Sequence, residues 1–353
     1  MKTNKFTNPS TAEWKKLYEL ATKLKALAPW EWMEEPEFFG VRNPETDEIG
    51  FISIMGLLGE HLSIGVYLGQ EGLYGYWNIS DPATGLENNP LALFDVPQLQ
   101  ASFEDREQLE KQDREVIKKL GFKFRGSQNY PLFRSIKPGF MPYYITSDEA
   151  RFLIYALEQT LETAPRIRDD ESLLPDPDED LYLVRVSEKQ GGKLVWRDEI
   201  MRVPPPETAN ISIEIPTEII NELKNVPQKK GLGLEIDFSY APTPVAEKGQ
   251  RPYFPKMLMI AEARQGMILG FAMVKPEETI LETNAQVPRH LIENLLKLEV
   301  RPEEIRVRSE MLYELLKTFT QQMNIKLRLT NDLPAVDMAK ESMFSFFGGG
   351  GMF

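Results

Sequence analysis

The chain lacks cysteine altogether, and it has only two histidines among its 353 residues. Without cysteine it can form no disulfide and use no thiol chemistry, which is consistent with a reducing cytoplasm. It also lacks any apolar run near the roughly 20 residues that span a bilayer. Its first residues, Met-Lys-Thr-Asn-Lys, do not form the apolar core of a signal peptide. We therefore expect a cytoplasmic protein with no membrane segment.

The sequence patterns of common catalytic sites are missing as well. Histidine is the side chain best suited to proton transfer near neutral pH, but neither His61 nor His290 has further ligands at metal spacing. There is no HExxH pattern, no serine nucleophile elbow and no phosphate loop, and Gly231-Leu-Gly233 lacks the third glycine of a dinucleotide fingerprint. These absences favour a binding or interaction protein over an enzyme, and no motif calls for a cofactor.

Acidic residues outnumber basic ones by 54 to 41, which gives a formal net charge of −13. A surface with that charge repels phosphate, which argues against nucleic-acid binding unless one face is locally basic. The acids are spread unevenly: the 32 residues 116–147 contain no Asp or Glu, although the average density predicts about five. This acid-free window is the one place in the sequence where the exception could apply.

The acid-free window combines cations with aromatic rings on a backbone rich in glycine and proline. This combination suits an anionic small molecule or an acidic protein, because the cations supply charge-assisted donors and the rings supply stacking surfaces. The arginines would donate in pairs of hydrogen bonds, and the tyrosines would stack. The candidate binding residues are Lys123, Arg125, Tyr130, Arg134, Lys137, Tyr143 and Tyr144.

A structural interpretation of the same window stays open. The preceding segment is predicted to be a charged helix from Glu104 to Leu120, and it carries six acids that could neutralise the arginines. The aromatic rings would then simply cover an edge of the core. The two interpretations differ in whether Arg125 and Arg134 are open to solvent or bonded to the chain's own carboxylates.

The first half of the chain is predicted to mix helices and short strands. Ser10-Thr-Ala-Glu13 and Thr146-Ser-Asp-Glu149 have the form of capping boxes, and each opens a helix. The charged helix has Ser102 as a plausible N-cap and Gly121 as its C-terminal stop. Strands are predicted at 38–42, 49–55 and 62–68, the last broken by Gly69 and Gly72, and as a hairpin at 182–187 and 193–201.

Three successive prolines, Pro204 to Pro206, are the clearest candidate for a domain boundary, because they can continue neither a helix nor a strand. We predict an N-terminal α+β domain at 1–203 and a C-terminal α/β domain at 207–345. A flexible tail containing four glycines is predicted at 346–353.

The C-terminal domain has a regular predicted order of elements, βββ-αβαβα. An antiparallel meander is followed by right-handed parallel crossovers. This order resembles the ribonuclease H-like fold, although a split α/β sheet of another kind fits almost as well. The predicted fold class is therefore α+β in two domains.

The ribonuclease H-like resemblance implies one enzymatic alternative, metal-dependent nucleic-acid cleavage. Nucleases of that fold hold two metal ions with carboxylates on the first strand, at the end of the fourth strand and on a later helix. The fourth-strand position falls on Arg308 or Ser309, where a cation would repel a metal, so a ligandless version of the fold used as a binding scaffold is preferred. The candidate ligands are Asp237 or Glu262 for the first position, and Asp337 or Glu341 for the helix.

Several stretches of the sequence resemble an uncharacterised family of bacterial proteins. The resemblance implies an N-terminal domain of unknown function, a second domain of unknown function after it, and a cytoplasmic location, but no activity and no residue roles. It rests on Pro29-Trp-Glu-Trp-Met-Glu-Glu35, Leu120-Gly-Phe-Lys-Phe-Arg-Gly126 and Pro138-Gly-Phe-Met-Pro-Tyr-Tyr144, and in the second half on Arg251-Pro-Tyr-Phe-Pro255 and Pro302-Glu-Glu-Ile-Arg-Val307.

Overall fold

Two β-sheets, one in each half of the chain, organise the structure, which is a computed structural model. It describes residues 7–81, 90–176, 179–206, 216–277 and 279–348. The chain divides into a first unit, Met1–Lys137 with Pro142–Glu207, and a second unit, Pro138–Met141 with Thr208–Phe353. In the described ranges no helix combines the length and apolarity that a membrane span requires.

The first unit contains a seven-stranded sheet in the order β5-β4-β3-β2-β1-β6-β7. Neighbouring strands are antiparallel except for β1 and β6, which are parallel. The strands are β1 (Phe39–Arg42), β2 (Ile49–Met55), β3 (Ser63–Leu68), β4 (Gln98–Glu104), β5 (Tyr130–Ile136), β6 (Leu181–Gln190) and β7 (Lys193–Arg202).

Helices cover both faces of this sheet. Successive residues of a strand point to opposite faces, so Ile52 packs in the core under α1 and α4 while Phe51 packs in the core under α2. Both capping boxes form as predicted, at Ser10 before α1 and at Thr146 before α4. The helices are α1 (Thr11–Leu27), α2 (Gly69–Ser80), α3 (Lys111–Leu120) and α4 (Ser147–Asp169).

The third strand ends at Leu68 as predicted, and the two glycines that follow it belong to a helix. Gly69, with φ of +63°, turns the chain from β3 directly into α2. A side chain at Gly72 would come within 2.7 Å of the Tyr67 backbone. Glycine therefore ends the strand and lets α2 lie close against β3.

The predicted charged helix is also wrong in its first part. Gln98–Glu104 is the strand β4, with Leu99, Ala101 and Phe103 buried at alternate positions, and Ser102 lies inside it. The helix begins only at Lys111 and ends at Leu120, and Gly121 follows it as the predicted C-terminal stop with a φ of +76°. The acids of 104–110 led to the prediction of a helix start there. The apolar side chains before them repeat every two residues, which is the pattern of a strand.

The second unit contains a five-stranded sheet in the order β10-β9-β8-β11-β12. The first three strands along the chain pair antiparallel, and β8, β11 and β12 pair parallel. Its elements follow the predicted order except for two helices that were not predicted, at 217–225 and 280–284. They are α5 (Thr217–Asn225), β8 (Gly233–Tyr240), β9 (Lys256–Glu262), β10 (Ile268–Val274), α6 (Ile280–Asn284), α7 (Val287–Lys297), β11 (Glu304–Val307), α8 (Glu310–Gln322), β12 (Lys326–Leu329) and α9 (Pro334–Gly348).

The sheet of the second unit is also covered on both faces. Leu291 of α7 and Leu316 of α8 belong to the core on one face, and Val336 of α9 belongs to a smaller cluster on the other. The helix α9 runs to Gly348 and so includes the first residues of the predicted tail. Residues 349–353 lie outside the described part of the chain.

Candidate functional site

The acid-free window is divided between the two units. Residues 116–137 and 142–147 belong to the first unit, and Pro138–Met141 belongs to the second. Within the first unit the window supplies the end of α3, a loop at 121–129 and the strand β5. The sequence treated these parts as one site, and the structure separates them.

The loop at 121–129 is held in place by several hydrogen bonds. Asp105 accepts from the Ser127 hydroxyl at 2.7 Å and from the Gln128 backbone N–H at 2.8 Å. The Asn129 amide donates to the Arg125 carbonyl at 2.9 Å. Gln128 has a positive φ of 51°. The loop is therefore anchored on both sides of Gly126.

Alternation along Phe122-Lys-Phe-Arg125 sends the rings inward and the cations outward. Phe122 and Phe124 stack at 5.7 Å, and both contact Tyr18 of the core, at 5.5 and 6.0 Å between ring centroids. Lys123 and Arg125 are exposed. The aromatic residues thus fix the direction in which the two cations point.

Lys123 and Arg125 line a groove with a volume of about 340 Å³. Its apolar wall comes from the rings of Phe103 and Phe124 and from Pro131, and α1 contributes a third cation, Lys25. In the described ranges none of the three cations has an ion pair or a side-chain hydrogen bond with a carboxylate. The lining residues are Thr22, Lys25, Ala26, Phe103, Lys123, Phe124, Arg125, Asn129 and Pro131.

Lys25 is the functional candidate that the sequence did not reveal. Its ammonium lies 5.3 Å from the Trp30 ring centre and 5.2 Å from the Phe103 ring centre. Burial lowers the pKa of Lys25 below its ordinary value of 10.5, because the charge has lost part of its hydration. Nothing in the spacing along α1 distinguishes Lys25 from its exposed neighbour Lys23.

Arg134 has the opposite environment, because β5 lies at the sheet edge beside α3. It is 8% exposed, and its two terminal nitrogens donate to both oxygens of Asp113 at 2.9 and 2.7 Å. The Tyr144 ring lies 4.9 Å from the guanidinium carbon. Burial would lower the pKa of Arg134, but Asp113, with Glu110 and Tyr144, raises it above its ordinary value. Arg134 is therefore already neutralised.

None of the remaining candidates of the window is among the residues that line the groove. Lys137 pairs with Glu149 at 3.8 Å, and Tyr130 is half-buried with its ring 6.0 Å from Phe124. Tyr143 and Tyr144 line a separate depression of about 490 Å³ together with two acids, Glu110 and Glu115. Tyr144 donates its hydroxyl to Glu110. Of the seven candidates, the structure thus places Lys123 and Arg125 in the groove, and Tyr143 and Tyr144 in the other depression.

The four metal candidates of the second unit do not converge. Glu262 lies at the end of β9 and stands opposite Leu234, three residues along β8 from Asp237. Asp337 pairs with Arg308, and Glu341 is exposed. Within the described residues no group of three His, Asp or Glu side chains is arranged to hold a metal ion.

Asp237 pairs with basic side chains of the protein and, within the described residues, does not join other carboxylates in a metal site. Its side chain is buried and pairs with Lys340 of α9, and Arg308 Nε lies 3.9 Å from its other oxygen. Two residues before Asp237 on β8, the fully buried Glu235 accepts hydrogen bonds from the backbone N–H groups of Ala335 and Val336 at 2.7 and 3.1 Å. This carboxylate holds the first turn of α9 against the sheet.

Residues 14–185 match the family model of a domain of unknown function, DUF7309, and residues 219–344 match that of a second domain of unknown function, DUF6930. The chain therefore carries these two domains in that order, as the resemblance implied. No curated protein and no solved structure matches the chain. The groove lies within the first matched region, and the Asp237 cluster lies within the second.

Proposed function

We propose that the first unit is a binding domain for a small anion or an anionic side chain, and that the site is the groove of Lys25, Lys123 and Arg125. The observation that carries the proposal is that, in the described ranges, these three cations line one groove without a carboxylate partner. The chain has 54 acids, so most of its cations can find a partner.

The chemistry of the groove supports an anionic ligand. Arg125 can offer a planar fork of donors, and the two lysines can offer point charges. The partly buried ammonium of Lys25 would gain most, since an anion would replace the hydration that burial has removed. The volume of about 340 Å³ lies near the lower end of the range of about 300–1,000 Å³ typical of small-molecule sites.

The test is binding of inorganic phosphate, citrate and a hexaglutamate peptide to the full chain, measured by thermal shift and calorimetry. A ligand that binds the native state raises the melting temperature by mass action. We expect Lys123→Ala with Arg125→Ala to abolish this shift. The matched control is Lys118→Ala with Lys119→Ala, which removes the same charge from exposed positions of the same window outside the groove.

Comparing the two double variants shows whether the anions bind at the groove or respond only to the net charge of the protein. If both variants lose the shift equally, the anions respond only to net charge, and the proposal is wrong. If none of the three anions shifts the melting temperature of the unaltered protein, the groove is not an anion site. Binding of hexaglutamate alone would point to an acidic protein partner rather than a metabolite.

For the second unit we propose a ribonuclease H-like arrangement used as a scaffold. Numbering its strands from β8 gives the order 3-2-1-4-5, with an antiparallel meander followed by two parallel crossovers through helices, and this order supports the proposal. The cleavage hypothesis gains no support from the partners of Asp237 and Asp337, which are Lys340 and Arg308.

The domain limits at 203 and 207, the tail at 346–353 and a cytoplasmic location also stay proposals. The lack of cysteine supports the location. Limited proteolysis tests the limits: we expect the first cuts between residues 203 and 216 and after 345. Early cleavage inside either sheet would contradict them.

A further inference from the structure

The edge strand β10 differs from the other three strands that end the two sheets. β5 contains Pro131 and bridges to Tyr143, β7 contains five charged residues, and β12 contains Lys326 and Arg328. Proteins use such charges, prolines and coverings to prevent a sheet edge from pairing with another chain. Residues 267–274, Met-Ile-Leu-Gly-Phe-Ala-Met-Val, contain no charge and no proline.

The side chains along β10 are apolar and open to solvent in the described part of the chain. Met267, Ile268, Phe271 and Met273 are 53, 50, 48 and 47% exposed. An apolar surface concentrated on one strand is unusual for a surface that stays in water, because exposed apolar residues are normally scattered singly.

This strip continues a buried cluster of the same sheet face. Phe271 stands opposite Met259 and Met273 opposite Met257, and cross-strand partners share a face. Met257 and Met259 are buried against α9, which packs mainly on β8 and β9. The cover that α9 provides therefore stops one strand short of the edge, and the apolar face continues beyond it.

We infer that β10 is a self-association edge, at which β10 of one copy pairs antiparallel with β10 of a second copy. Antiparallel pairing of a strand with itself is two-fold symmetric, so each copy presents the same patch. The pairing joins two five-stranded sheets into one and satisfies the edge backbone groups.

Self-pairing suits this strand for a further geometric reason. The two-fold axis runs perpendicular to the sheet, so the α9 sides of both copies face the same way. The strips of Phe271 and Met273 then meet in one apolar surface between two α9 helices. A chain with a net charge of −13 resists self-association in general, but an uncharged strand facing its copy adds no repulsion at the contact itself.

The test is sedimentation of the full chain over about 1–100 µM, the range in which modest interfaces associate. We expect a monomer–dimer equilibrium that Phe271→Lys weakens at least about tenfold, because two like charges would meet across the new strand pair. The control is Ile200→Lys on the edge strand β7, where the replaced side chain is 56% exposed. Both variants should melt like the unaltered protein.

Since the chain has no cysteine, a single introduced cysteine locates the contact. Opposite residues of an antiparallel pair have Cα atoms about 4.5–5.5 Å apart, which lies within the range of disulfides. Phe271→Cys, at the middle of β10, should form a covalent dimer faster than Ile200→Cys under mild oxidation. A monomer at all concentrations, a dimer indifferent to Phe271→Lys, or a monomer that binds an apolar extended peptide at β10 would each overturn the inference.

Discussion

The loop at 121–129 and the strand β5 are neighbouring parts of one acid-free window, yet they place their arginines in opposite environments. Arg125 of the loop is exposed and, in the described ranges, has no carboxylate partner, whereas Arg134 of β5 is buried with both terminal nitrogens on Asp113. This difference shows that local composition predicts where cations are concentrated in the sequence. The elements packed around each cation decide whether it is open to a ligand.

The structural interpretation therefore holds for β5, and the loop keeps the exposed arginine that the binding interpretation requires. β5 lies at the sheet edge, where α3 brings Asp113 within hydrogen-bond reach of Arg134. The loop follows α3 and turns at Gly121 and Gly126, and its two rings face the core while its cations face the groove. The acids of 104–115 neutralise only the arginine that the fold brings to them.

The largest expected effect comes from removing the partner of the buried arginine. Asp113→Ala leaves the Arg134 guanidinium buried without its paired acceptor, so we expect the free energy of unfolding to fall by about 3–5 kcal/mol. Urea denaturation followed by circular dichroism measures it. Glu115→Ala, at an exposed position of the same helix, should change the value by less than about 0.5 kcal/mol. Similar effects of the two variants would remove the distinction between buried and open charges.

A smaller effect is expected when the charge is kept and its shape is changed. Arg134→Lys loses the paired hydrogen bonds to Asp113 and the contact with the Tyr144 ring, so it should cost about 1–3 kcal/mol. Arg125→Lys makes the same change in the groove and should stay within about 0.5 kcal/mol. Urea denaturation measures both free energies of unfolding. An equal loss for Arg125→Lys and Arg134→Lys would show that Arg125 has a structural role.

The smallest expected effect is a pH dependence of anion binding. Lys25 has a lowered pKa in the folded protein, and a bound anion would raise it again. Binding should then be strongest below the lowered pKa, where Lys25 is charged, and should weaken as the pH rises through that pKa. Sulfate is the suitable probe, since its own charge is constant in this range.

Calorimetry in buffers of different ionisation heat detects the accompanying proton uptake. Lys25→Met should bind more weakly, and the pH dependence should disappear. The same lysine also affects stability with a defined sign: the unfolded chain binds the proton more tightly, so the cost of burying the charge is present at low pH and is relieved as the pH rises. An unchanged affinity up to the most alkaline buffer would exclude a role for Lys25.

The second unit was the more predictable of the two, for a physical reason. Its meander and its alternating strands and helices, such as β11 and α8, have local periodic patterns and short connections, which a sequence shows directly. The first unit also has local strand pairs, but it pairs β1 with β6 from far along the chain and joins β3, β4 and β5 across longer segments. Neither β4 nor β5 was predicted. The two-residue period of β4 was masked by the clustered acids that follow it, and that of β5 by the surrounding glycines, prolines and aromatic residues.

The candidate site was predictable in part. The absence of acids located Lys123 and Arg125, and the alternation of Phe122-Lys-Phe-Arg125 already contained the direction of their side chains. Lys25 could not be found, because α1 is nearly a hundred residues away in sequence and gains its role only by packing beside the loop. Arg134, Tyr143 and Tyr144 were placed with the others on composition alone.

The sequence by itself determined where charge and aromatic residues concentrate, where the capped helices begin, the order of elements in the second half, and the absence of cysteine chemistry. These properties are local, because they depend on composition, on the period of apolar residues and on residues a few positions apart. Only the tertiary structure decided which cations are neutralised, that Lys25 joins the groove, and that β10 ends a sheet without protection. Those properties depend on distances between segments far apart in the chain, and packing alone sets such distances.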